Sequence, residues 1–166
     1  MKCYTALIIG MISISTTTVI HAQEEDLIDL LTHHQNEALQ AAREVIVDTA
    51  AETMRRRVAD AKVAWDEAIM EWMDLHGALG FTLDYERSFE YGVLLAENTR
   101  LWRIDGCLQQ AVRAAEDMLT APPETNAQAD AMAATCDNVG NLADVLRDRA
   151  VDFAEIIRTI TEILNE

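Results

Sequence analysis

The sequence predicts an all-α protein: an elongated antiparallel bundle of three long helices, the first bent or split, joined along coiled-coil-like heptad seams. Three observations carry this expectation. Apolar residues recur at alternating steps of four and three through most of the chain, its two prolines stand side by side, and no stretch resembles a strand.

The chain begins with MKCYTALIIGMISISTTTVIHA, which has the layout of a secretory leader. Lys2 is followed by an apolar stretch around residues 6–14 and a polar region ending at Ala22. The apolar part is too short to span a bilayer comfortably. Cleavage after Ala22 is therefore expected, taking Cys3 with it. The expected organisation is a leader over residues 1–22 and one helical domain over residues 23–166, periplasmic or secreted, with no stable membrane insertion after cleavage.

The next segment, DLLTHHQNEAL, contains Thr32 and Gln35 at capping-box spacing, so a helix start is expected there. Asp29, His33 and His34 invite comparison with a metal site. Adjacent helical residues point about 100° apart, however, and chelate poorly, so His33 and His34 read as first-turn residues. Leu31, Thr32 and Gln35 match the L-T-x-x-Q signature of the Spy/CpxP periplasmic chaperones once; the second copy those proteins carry is missing. Apolar positions Leu31, Ala38, Ala42 and Val45 follow one register, and Val47, Ala51, Met54, Val58, Ala61, Trp65, Ala68, Trp72 and Leu75 follow another. The slip between them predicts a bend or a separate short helix before Val47. Trp65 and Trp72, one heptad apart, are core candidates.

The second helix follows GALGFTLD, with Thr82 as its cap and Asp84 and Glu86 in its first turn. Its seam reads Leu94, Leu101, Ile104, Leu108, Ala111, Ala115 and Met118, interrupted at Glu97. Gly92 and Gly106 share a face and are expected to permit close helix approach. The paired prolines in LTAPPETNAQ end this helix, and Thr125 with Gln128 forms a capping box for the third. That helix has the most regular seam: Met132, Cys136, Val139, Ala143, Leu146, Ala150, Phe153, Ile157, Ile160 and Leu164. Ile156 and Ile163 are expected to widen it against a second neighbour.

Two cysteines would survive leader removal. Cys107 and Cys136 lie at similar distances from the proline turn, roughly 16–20 Å at about 1.5 Å per residue. Antiparallel helices would bring them to one level, and an oxidising compartment favours a bond. An intramolecular Cys107–Cys136 disulfide is therefore expected, contributing roughly 3–4 kcal/mol in the chain-entropy model.

The formal net charge is −16, with 29 acids against 13 Lys and Arg. Such a surface repels phosphate backbones and anionic lipid, which argues against nucleic-acid and membrane-surface partners. The Arg55–Arg57 cluster sits in an acidic helix and is expected to form salt bridges. Carboxylate pairs such as Glu67/Glu71 and Glu86/Glu90 read as a solvated face. There is no C-x-x-C, H-E-x-x-H, G-x-S-x-G, phosphate loop or E-x-x-H repeat, so no enzyme activity, metal or cofactor is expected. Phe81, Tyr85, Phe89 and Tyr91 form the most aromatic stretch, at one bundle end. They either plug that end over Trp72 or form a partner-binding tip. Together these features predict a non-enzymatic protein acting on a protein partner, such as a component of a bacterial envelope or secretion assembly, with homo-oligomers possible. The alternative is a periplasmic inhibitor or immunity protein steered by its charge onto a basic toxic or cell-wall-degrading enzyme.

Overall fold

The structure, a computed structural model, describes residues 4–79 and 85–165, with side-chain surroundings for residues 24–79 and 88–165. It consists of three helices: α1 (Tyr4–Leu79), α2 (Tyr85–Met118) and α3 (Asn126–Asn165). No strand occurs among the described residues. No helix among them is long and apolar enough to cross a membrane. The leader, residues 1–22, lies outside the residues whose side chains are described.

The chain divides into two units, Met1–Ala42 and Arg43–Glu166. In the first, residues 24–42 are helical and expose Leu27, Ile28, Leu30, Leu31 and Leu39. The expected helix start at Thr32 is not present. Helical hydrogen bonding continues through it, and neither a bend nor a break separates the two apolar registers into different helices. The apolar register rotates around one continuous helix instead. His33 and His34 both reach Glu37, each at 3.2 Å, the local pairing that helical spacings of four and three provide.

The second unit is a three-helix bundle made by residues 43–79 of α1 with α2 and α3. Its direction is set by cross-helix pairs. Arg43 meets Asn126, Arg57 meets Asp144 and Glu71 meets Arg158, so α1 and α3 run in the same direction. Arg55 meets Glu116, Trp65 meets Trp102 and Trp72 meets Tyr91, so α2 runs against α1. The seams expected on α1 and α3 form the core. Val47, Ala51, Met54, Ala61, Trp65, Ala68, Trp72 and Leu75 are buried, with Val58 packed at the edge. Met132 through Ile157 are buried in the expected steps, and Ile160 and Leu164 pack at the margin.

On α2 the buried face differs from the expected one. It runs Leu94, Asn98, Leu101, Asp105, Leu108 and Ala115. Ile104 and Ala111 lie at its edge and Met118 is exposed. The seam therefore passes through two polar residues, one heptad apart. Gly92 and Gly106 face open space, so neither provides a close helix approach. Ile156 and Ile163 are also exposed; the α3 stripe widens on the other side, through Gly140 and Ala154.

The turn between α2 and α3 buries Pro123, and the capping box forms. The Gln128 amide donates to Thr125 Oγ1 at 3.2 Å, and Gln128 Oε1 accepts from the Glu124 amide at 2.8 Å. Arg43 fixes this helix start from α1, donating to Asn126 Oδ1 at 2.7 Å and to the Glu124 carbonyl at 2.9 Å. Thr82 and Asp84, the expected start of α2, lie outside the described residues.

Candidate functional site

The expected disulfide is absent: Cys107 and Cys136 are both free. Cys136 is a core residue, 1% exposed, and burial pushes its thiol pKa up, aided by the nearby Glu116 carboxylate. Cys107 is exposed because the true α2 seam passes through Asp105 and Leu108 rather than Ile104 and Ala111. That rotates the buried face away from Cys107 by roughly half a residue step, about 50°.

What couples the helices at this level is a set of arginines. The Arg57 guanidinium lies directly over Gly140, where a Cβ would overlap it. From there it donates to Asp144 at 3.1 Å, to Asn141 at 2.9 Å and to Asp137 at 3.3 Å. The hydrogen bond from Arg57 holds the Asp144 carboxyl below the usual carboxylate range, and Asp144 in turn raises Arg57. Arg55 makes a two-toothed contact with Glu116 of α2 at 3.1 and 3.2 Å. The arginine cluster thus bridges to both neighbouring helices rather than within its own.

The aromatic end divides in two. Phe81 lies outside the described residues, and so does the side chain of Tyr85, the first residue of α2. Tyr91 is half-buried and stacks on Trp72 at 5.7 Å, with His76 at 5.6 Å from Tyr91 and Phe153 at 5.9 Å from Trp72. This cluster closes the bundle interior. Phe89 points the other way and is 75% exposed. Two residues apart on a helix means about 200° of rotation, so Phe89 and Tyr91 cannot serve the same face.

One turn beyond Phe89, Val93 opens a groove of about 630 Å³ between α2 and α3. Phe153, Ile156 and Ile160 form its apolar lining, while Glu97, Asp152, Glu155 and Arg149 stand around it. Ile156 was expected in the core; here it is the exposed wall of the groove. Glu97 is tied to Arg100. The groove therefore offers apolar contact surrounded by more negative than positive charge.

Sequence reasoning missed Trp102, which is 54% exposed and packs edge-on against Trp65 at 5.3 Å. It also missed Asn98 and Asp105. Asp105 is 5% exposed and accepts from the Gln109 amide group, whereas Asn98 Oδ1 is buried without a hydrogen-bond partner. No group of His, Cys, Asp or Glu placed to hold a metal occurs among the described residues.

Compared with known proteins, the chain matches no family model, no curated protein and no solved structure.

Proposed function

We propose that this is a non-enzymatic periplasmic or secreted protein that acts by binding another protein, with Phe89 and the adjoining α2–α3 groove as its contact surface. The observation that carries the reading is the exposure of Phe89 on an ordered helix, one turn from an apolar groove with a mainly acidic rim. Large aromatic side chains held out in water on a rigid element supply binding energy with little ordering cost. The acidic rim suits a partner that presents an apolar helix flanked by Lys or Arg. An envelope or secretion assembly is one setting for such a component. The test is Phe89→Ala combined with Ile156→Glu. Captured from the periplasm, the variant keeps its helical circular dichroism and loses the partner retained by the wild type. Retention of the same partner by the variant would defeat the reading.

The overall charge favours a second reading, inhibition of a basic enzyme. Steering by net charge acts on the association rate, which then falls steeply between about 50 and 500 mM salt. A groove-centred contact changes mainly in dissociation. N-terminal sequencing of the exported protein tests the leader: it begins at Gln23 if cleavage follows Ala22.

A further inference from the structure

α1 carries a second heptad series besides the one that closes the bundle. It starts at Glu24 and runs through Ile28, Leu31, Ala38, Ala42 and Val45 to Arg56 in alternating steps of four and three, and each of these residues is exposed. Leu31 is 60% exposed and Val45 is 64% exposed, so its apolar members have no partner within the chain. Contiguous exposed apolar residues on an ordered helix mark a surface that is covered in the working assembly.

The series is complementary to itself when read in reverse. Setting two copies antiparallel brings Glu24 opposite Arg56, Leu31 opposite Thr49 and Ala38 opposite Ala42. Small residues at the midpoint permit close approach, and larger ones lie further out. Ile28 falls opposite Glu52, whose methylenes can cover it while its carboxylate stays in water. Charge selects the same orientation. Residues 24–42 carry five carboxylates and no Lys or Arg, whereas residues 43–57 carry four arginines against three acids. A parallel arrangement would instead place the acidic ends together. Arg56 is exposed, and no ion pair engages it among the described residues. Along the facing ridge, Val45 and Thr49 also border a groove of about 400 Å³ between α1 and α3, which has room for the flanking Leu27. The occupant cannot be the same chain's own segment, because α1 has no turn between Leu31 and Val45 through which it could fold back.

We propose that α1 of one copy pairs antiparallel with α1 of a second copy along this outer series, giving a two-fold dimer with roughly 50 Å of helix–helix contact. The pairing does not depend on the Phe89 groove, which lies on α2 and α3.

Sedimentation equilibrium of the full chain between about 1 and 100 µM tests it. The wild type sediments as a dimer. Leu31→Asp, which enters the contact twice, weakens association about a hundredfold or more while helicity and melting stay unchanged. Arg56→Glu weakens it several-fold, and Glu24→Arg added to Arg56→Glu restores it. Orientation is read by mixing Leu31→Cys protein with Thr49→Cys protein, both in a Cys3→Ser, Cys107→Ser, Cys136→Ala background. The antiparallel pair yields a mixed disulfide, and neither protein crosslinks to itself. A monomer throughout this range, a dimer indifferent to Leu31→Asp, or self-crosslinking by Leu31→Cys alone overturns the proposal.

Discussion

The seams of α3 and α2 do the same mechanical work with different materials. Along α3 every buried position from Ala129 to Ile157 is apolar or glycine. Along α2 the buried face includes Asn98 and Asp105 at heptad spacing. An all-apolar seam maximises burial but tolerates sliding by a whole heptad, since each step looks like the next. Polar groups at two fixed levels penalise every misalignment that separates them from their surroundings. The comparison suggests that α3 supplies most of the bundle's stability and α2 supplies its register.

The sharpest way to break the first half of that comparison is to truncate the α3 seam. Leu146 is fully buried near the middle of α3. Leu146→Ala is expected to destabilise the bundle by about 2–5 kcal/mol through lost transfer energy and the cavity left behind. Urea unfolding followed by circular dichroism measures it. A loss below about 1 kcal/mol would mean that α3 is not the dominant element.

Asn98 supplies the opposite sign. Its buried Oδ1 has no partner, so Asn98→Leu removes an unsatisfied polar group and adds apolar surface. The expected result is a gain of about 1–3 kcal/mol. Register is expected to loosen in return, seen as broader amide resonances or slower, multiphasic refolding. Increased stability with unchanged uniqueness would show that Asp105 alone sets the register.

These two seams also explain what was legible in the sequence. The fold class, the three helices, the proline turn and its Thr125–Gln128 cap followed from spacing, because each rests on local chemistry. The α3 seam followed because an apolar-only count finds every member. On α2 the same count skipped Asn98 and Asp105 and drifted by one position to Ile104 and Ala111. The disulfide inherited that error: once the buried face turns, Cys107 turns out of the bundle. Counting steps of four and three from Leu94 without regard to polarity passes through residues 98, 101, 105 and 108. The Arg57–Gly140 contact was not legible at all, since it pairs residues on different helices and no local rule connects them. At the aromatic end the sequence supplied both roles but not their division between Phe89 and Tyr91.

Arg57 provides a polar contact that can be compared with the α2 polar seam, since it is only partly buried. Arg57→Ala is expected to cost about 1–2 kcal/mol at pH 7 by removing charge-assisted hydrogen bonds to Asp144 and its neighbours. The pH dependence has a fixed sign. Asp144 titrates below its ordinary value in the folded chain, so the pair stabilises fully above the unfolded carboxyl pKa of about 3.9 and loses that contribution as pH falls through the lower folded value. Wild type and Arg57→Ala should therefore differ at pH 7 and converge below about pH 3. A constant difference across that range would assign the effect of Arg57 to packing.

Gly140→Ala has the smallest expected net effect, because two opposing terms meet at one atom. Alanine in place of glycine inside a helix gains about 1 kcal/mol. The new Cβ would overlap the Arg57 guanidinium, which is the flexible end of its side chain and can swing away, giving up some of its bonds to Asp137, Asn141 and Asp144. In the wild-type background these terms nearly cancel. In the Arg57→Ala background the guanidinium is gone, the recess is open, and the same substitution should stabilise by about 1 kcal/mol. A double-mutant cycle isolates the coupling. If Gly140→Ala has the same effect in both backgrounds, the guanidinium does not occupy the recess in solution, and the link from α1 to α3 rests on apolar packing alone. If the coupling appears, Gly140 is retained to seat a cation, at a position where its helix propensity alone would select against it.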